Sequence, residues 1–245
     1  MAKSLFESAS SLPRGILVFA VLTLISGFVF HSEFAYNVLA QEPTLIASAV
    51  VGSDTTEAAP TAAASAPAAF LELASAVGET EPAKRLIEYK LKNDPSSRER
   101  YWAIVDFNQP ATSKRLYVFD AVEKKVERYY VAHGRGSEGT AGNNIPAIFS
   151  NQSGSNSSSL GIYRALDEYS GHHGRSLRLE GLEPTNSNAL SRAVVMHTAD
   201  YVSDAFIRET GRIGRSEGCF AVERSVGNTL IDELKDGAYI IASKD

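Results

Sequence analysis

Hydrophobic and polar positions fall into distinct regimes along the chain. From Gly15 to Phe30 the run GILVFAVLTLISGFVF carries no charge, and Lys3 and Arg14 precede it. As a helix rising ~1.5 Å per residue it would measure about 24 Å, short of the roughly 30 Å hydrocarbon layer of a bilayer. A positive start, an apolar centre and the ending VLA at Ala40 fit residues 1–40 as a secretory signal cleaved after Ala40 or as an uncleaved membrane anchor. Residues 41–69 are dominated by Ala, Thr, Ser and Pro. That composition holds too few large apolar side chains to offset the entropy of ordering, and it predicts a flexible linker.

Apolar spacing then turns helical. Phe70, Leu71, Leu73, Ala74 and Val77 form one stripe, GETEP interrupts it, and AKRLIEYKLKN resumes it. The pattern predicts a helical arm over residues 70–97, packed on the domain C-terminal to it. From residue 98 the period shortens. YWAIVDF, RLYVFDA, VERYYVAHG, SLGIY, SLRLEGL and AVVMH are rich in β-branched and aromatic residues, and clusters such as SNQSGSNSSS separate them. SVGNTLIDELKDG reads as a helix with Ser225 as N-cap and Gly237 at its stop, and AYIIAS as a last strand. Residues 98–245 are therefore expected to form a mainly β domain, a sandwich or irregular barrel with a few short helices.

Composition adds two constraints. At 44% hydrophobic and 22% charged residues, most of the 245-residue chain should fold. A formal net charge of -5 argues against a general nucleic-acid binder, which needs a basic face. Export is the common consequence of either reading of the N-terminus, and it makes the single cysteine, Cys219, informative. An unpaired thiol outside the cytosol invites oxidation. Cys219 is thus a buried small hydrophobe, an intermolecular partner, or a group kept for chemistry.

A thiol needs a base to become a nucleophile at neutral pH, most often a histidine. Outside the export segment the histidines are His133, His172, His173 and His197. His197 ends an apolar run, where a strand can hold it rigidly at a sheet edge; the alternative is a hydrogen-bonded core histidine. Gly218 permits close backbone approach or positive φ, so amides near Gly218 and Cys219 are candidates for an oxyanion hole. The spacing of His172, His173, His197 and Asp200 matches no metal motif, and no cofactor is expected.

The arrangement from His197 through Ser216 and Glu217 to Gly218 and Cys219 resembles the signature of the YkuD-like L,D-transpeptidase superfamily. The similarity is stronger to its murein L,D-transpeptidase catalytic domain branch. HGRGS (His133 to Ser137), FSN (Phe149 to Asn151), GSNSSSLGIY (Gly154 to Tyr163), GHHGRSLRLEGLE (Gly171 to Glu183), HTADYVS (His197 to Ser203) and GRIGRSEGCFAV (Gly211 to Val222) carry it in order. The resemblance implies a YkuD-like β-rich domain, a periplasmic or cell-envelope location, and acyl transfer on peptidoglycan stem peptides. Cys219 would attack the carbonyl on the L-centre of a diamino acid and form a thioester. His197, oriented by the Thr198 carbonyl, would move the proton. An amine acceptor would give transpeptidation and water an L,D-carboxypeptidase outcome. A catalytically silent wall-binding domain is the third alternative.

Three positions depart from the superfamily pattern. Glu217 stands where a histidine is usual, Phe220 where the branch has proline, and Ala221, which the branch shares, where the wider superfamily has arginine. In an extended segment Glu217 and Cys219 would face the same way, and a carboxylate beside the thiol disfavours the thiolate. Arg212 and Arg215 would offset this if they folded over the site. Glu217 either pairs with one of them or with a substrate ammonium, or is a solvated loop carboxylate. Arg215 is the candidate for binding a substrate carboxylate, with Ser216 positioning the loop or donating a hydrogen bond. Arg175 and Arg178 are weighed as binders against intramolecular pairing.

Overall fold

The computed structural model describes residues 65–95 and 100–245. The expected export segment, and the linker apart from its last five residues, lie outside them. Among the described residues no helix is long and apolar enough to cross a membrane. In chain order the elements are α1 (Ala66–Ala76), α2 (Thr80–Asn93), β1 (Tyr101–Asp106), β2 (Leu116–Asp120), β3 (Lys125–Tyr129), β4 (Gly161–Gly171), β5 (Gly174–Gly181), β6 (Val195–Thr198), α3 (Asp204–Thr210), β7 (Phe220–Val222), α4 (Gly227–Leu234) and β8 (Tyr239–Ser243). All eight strands join one sheet in the order β3-β2-β1-β8-β4-β5-β6-β7.

The sheet nearly closes on itself, so the sandwich alternative falls away. Beyond β3 the chain continues to the far edge, where the Ala132 amide donates to the Ala221 carbonyl at 2.9 Å and the Ser216 amide to the His133 carbonyl at 3.0 Å. The continuous apolar runs follow from burial on both faces. Ala103, Val105, Tyr163, Ile240 and Ala242 join an inner cluster with Leu230, Ile231 and Leu234 of α4. Trp102, Ile104, Phe119, Ile162 and Ile241 face outward and are covered by Phe70, Ala74, Ala83 and Leu86 of the first two helices. Phe70 stacks on Trp102 at 4.7 Å between ring centres. Arg85 clamps Glu183 at 2.6 and 2.7 Å, tying α2 to the chain just after β5.

Helix ends differ in places from the sequence pattern. Gly78, at φ +88°, separates the two arm helices, and α2 begins inside GETEP because proline is tolerated in a first turn. At α4 the N-cap is Val226 rather than Ser225, and the helix stops at Leu234, before Asp236 and Gly237 take positive φ values. The short helix α3 has no counterpart in the periodicity, since none of its residues is buried. Its ends are nonetheless written in the sequence: the Ser203 hydroxyl accepts from the Phe206 amide at 3.1 Å, and Gly211 closes it at φ +79°.

Glu79, just before α2, is 6% exposed. Burial first, and then the neighbouring Asp106 carboxylate, push its carboxyl up to about 7. The sign is set by linkage: the stability contributed by the protonated form is complete below the unfolded value of 4.5 and is lost as pH rises through about 7. Glu79→Gln keeps the neutral shape. It is expected to melt with the wild type below pH 4 and several degrees higher at pH 8, checked by thermal unfolding at the two pH values.

Candidate active site

The far edge of the sheet carries the site. Strand β6 pairs antiparallel with β5 and parallel with β7, placing His197 opposite Ser176 on one side and Ala221 on the other. Cys219 precedes β7 by one residue. Both side chains line one cleft of about 520 Å³, together with His173, Arg192, Ala193, Tyr201, Arg215, Ser216 and Glu217. A second hollow of about 360 Å³, lined by His172, His173, Thr198, Asp200 and Arg224, shares His173, His197 and Tyr201 with the first. The imidazole is thus bordered by two hollows.

His197 is 3% exposed, and its Nδ1 lies 3.0 Å from the Thr198 carbonyl oxygen. A carbonyl has no proton to give, so Nδ1 carries the hydrogen and Nε2 the basic lone pair. Burial lowers the affinity of this ring for a second proton; the Thr198 carbonyl acts the other way, and His173 lowers it further. The His173 ring stacks on it at 4.2 Å with a 19° tilt. His172 and His173 form the turn between β4 and β5, as their sequence suggests. Among the described residues no group of three or more His, Cys, Asp or Glu is placed to hold a metal.

Cys219 is half-buried, and its Sγ donates to the Ala193 carbonyl at 3.5 Å. Burial raises the thiol above its ordinary value, a backbone hydrogen bond near Val195 and the charge of Arg192 oppose the rise, and Glu217 adds to it. Both shifts favour the uncharged forms, the neutral imidazole and the protonated thiol, of the two groups that line this cleft.

The turn before Cys219 is built by Ser216 and Gly218. The Ser216 hydroxyl donates to the Cys219 carbonyl at 2.7 Å and accepts from the Gly218 amide at 3.2 Å. Ser216 is 4% exposed, so its hydroxyl serves the loop. The Gly218 amide, an expected oxyanion donor, is turned inward to that same hydroxyl. Gly218 itself sits at φ +116°, and a Cβ there would come within 2.8 Å of the Ser157 carbonyl oxygen and 3.1 Å of Arg192. Only glycine fits without displacing the neighbouring loop.

The arginines behave differently from expectation. Arg212 and Arg215 do not fold over the thiol; both bind Glu138, Arg212 at 2.6 Å. Arg215 borders the cleft, but its side chain is 6% exposed and also donates to the Ile213 carbonyl at 2.7 Å. Its guanidinium is held inside the loop, not presented to a ligand. Glu217 pairs instead with Arg135 of the HGRGS motif at 2.8 Å, with both side chains well exposed. Arg175 binds Glu168 and Asp232, and Arg178 binds Asp167 while lying over the Tyr169 ring. Their pairing is intramolecular. His133 is fully buried; Arg115 donates to its Nδ1 at 2.8 Å, and burial beside three arginines lowers its pKa to about 2. Tyr163 is core, whereas Tyr201 lines both hollows. Arg192 and the Ala193 carbonyl are cleft features that the sequence pattern did not single out.

The curled β-sheet presents one thiol and one carbonyl-bound imidazole to a shared cleft at its edge, the arrangement of a cysteine–histidine catalytic site. Residues 77–242 match the model of the L,D-transpeptidase catalytic domain family, and the chain belongs to that family. The match takes in α2 as well as the sheet. No curated protein matches the chain at a significant level. Among solved structures it is similar to an L,D-transpeptidase from Mycobacterium smegmatis, at 13% identity over 59% of this chain and 59% of that one, with a TM-score of 0.35. It is also similar to an L,D-transpeptidase from Stackebrandtia nassauensis, at 13% identity over 73% and 77% of the two chains and a TM-score of 0.33. A third is L,D-transpeptidase 3 from Mycobacterium tuberculosis, at 13% identity over 59% and 61% and a TM-score of 0.33.

Proposed function

We propose that this protein is an exported cysteine acyltransferase acting on peptidoglycan stem peptides in the cell envelope, with residues 98–245 as its catalytic domain. The observation that carries the reading is the shared cleft: the chain's one thiol and an imidazole whose Nδ1 is tied to a carbonyl line the same hollow. The Nε2 of His197 takes the Sγ proton as sulfur attacks the carbonyl on the L-centre of the stem's diamino acid. The tetrahedral intermediate collapses with loss of the terminal D-amino acid, whose nitrogen receives that proton, and leaves a thioester on Cys219. An incoming amine then gives its proton to His197, forms the new amide and frees the thiol. With the Gly218 amide engaged by Ser216, the Cys219 amide is the remaining candidate of that pair for the oxyanion. Proton transfer to the imidazole accompanies attack of the sulfur.

His197 borders both hollows, so the second is assigned to the acceptor amine, beside the imidazole that takes its proton. Incubating purified muropeptides with the protein and following products by mass spectrometry tests the reading. Loss of the terminal D-amino acid with a new amide to an added amine supports transfer, and tripeptide alone supports the carboxypeptidase. No change in the muropeptides identifies a silent wall-binding domain and ends the enzymatic reading.

A further inference from the structure

Arg192 is held differently from the other arginines of the cleft. Its Nη1 donates to the Ser150 carbonyl at 2.8 Å and its Nη2 to the Ser157 carbonyl at 2.6 Å, with longer contacts to the Ser159 and Ser155 hydroxyls at 3.4 and 3.5 Å. Every acceptor is neutral, and among the described residues no carboxylate pairs with it. Arg215 shares the Glu138 carboxylate with Arg212, and Arg135 is bound to Glu217, so each has a carboxylate partner. Arg192 lines the cleft with carbonyl and hydroxyl oxygens as its hydrogen-bond partners. It meets the Cys219 turn at two points: Nη2 lies 3.1 Å from where a Gly218 Cβ would stand, and the next residue, Ala193, supplies the carbonyl that holds Sγ.

We propose that Arg192 is a positioning residue for Cys219, an uncancelled cation that stabilises negative charge on the sulfur and clamps the 150–159 loop against the Gly218 turn. The proposal deepens the acyltransferase reading and rests on Cys219 being the nucleophile. Arginine suits the place because its fork holds two carbonyls while its charge survives at any working pH. The other charged or titratable groups around the thiol are His197 on β6, His173 on the β4–β5 turn, Tyr201 after β6, and Glu217 and Arg215 on its own loop. Glu217 acts against the thiolate and Arg192 for it.

The test reads the thiol directly, since Cys219 is the only cysteine in the chain. The rate of alkylation by iodoacetamide is followed against pH for the full-length wild type, Arg192→Gln and Arg192→Lys, without any peptidoglycan. An ion neighbouring a thiol moves its midpoint by about one unit, so Arg192→Gln is expected to titrate about one unit higher. Arg192→Lys, which keeps the charge, is expected to stay near the wild type. With stem peptide, Arg192→Gln is expected to lose kcat more than to raise KM, and Arg192→Lys to retain most of it. An unmoved midpoint in folded Arg192→Gln would overturn the proposal. Should that variant not fold, a midpoint in Arg192→Lys as much as a unit above wild type would overturn it too. Because the alkylation assay needs no substrate, it stands apart from any failure of the transfer reaction itself.

Discussion

Cys219→Ala is expected to abolish turnover of stem tetrapeptides while leaving the fold intact. Nucleophile deletions in enzymes that work through covalent intermediates cost on the order of 10³ to 10⁶ in rate. The residual rate should therefore fall below detection in a chromatographic assay of released D-amino acid. Folding should be nearly untouched, because the thiol is half-buried at a cleft and makes one weak hydrogen bond to the Ala193 carbonyl. A melting temperature within about two degrees of wild type checks that the loss is chemical. Cys219→Ser should be strongly impaired as well, because a hydroxyl is a far weaker acid than a thiol and the same base would have to remove a much less acidic proton.

The second large effect is at His197. Removing a general base typically costs roughly 10²- to 10⁴-fold, and His197→Gln is expected to lose activity in that range. The pH profile makes the assignment specific. Burial and His173 lower the ring's pKa, outweighing the Thr198 carbonyl, so the imidazole stays neutral to lower pH than an ordinary histidine near 6.5. Activity in the wild type should persist below pH 6.5 and fall only as the buried ring gains its second proton. His173→Ala opens the ring to water and removes the neighbouring imidazole, so its acid limb should move upward. A limb that stays in place in His173→Ala, or that persists in His197→Gln, would assign the titration to another group.

Much of the fold was legible because burial on both faces writes itself as continuous apolar sequence. YWAIVDF, RLYVFDA and AYIIAS contain β1, β2 and β8 almost residue for residue. The arm was legible because its stripe meets one partner, the outer face around Trp102. Closure of the sheet was not, since it depends on residues near Ala132 pairing with residues near Ala221, and no local pattern encodes that register. In the site, the bond from His197 to the Thr198 carbonyl was expected from the family resemblance, and the loop role of Ser216 was one of two expected. The partners of Glu217 and Arg215 were not legible. Sequence proximity suggested that these loop residues meet each other, whereas Arg135 and Glu138, brought in by the return of the chain after β3, take them instead. Arg192 was not legible for a related reason: that its partners among the described residues are carbonyls and hydroxyls, without a carboxylate, is visible only in the packed structure.

Peptide mapping of protein acid-quenched during turnover of a stem tetrapeptide tests the central claim most directly. The account predicts an acyl group of the shortened stem on the fragment containing Cys219, cleared when an acceptor amine is added before the quench. Turnover by Cys219→Ala, or an acyl group carried on any other residue, would contradict it.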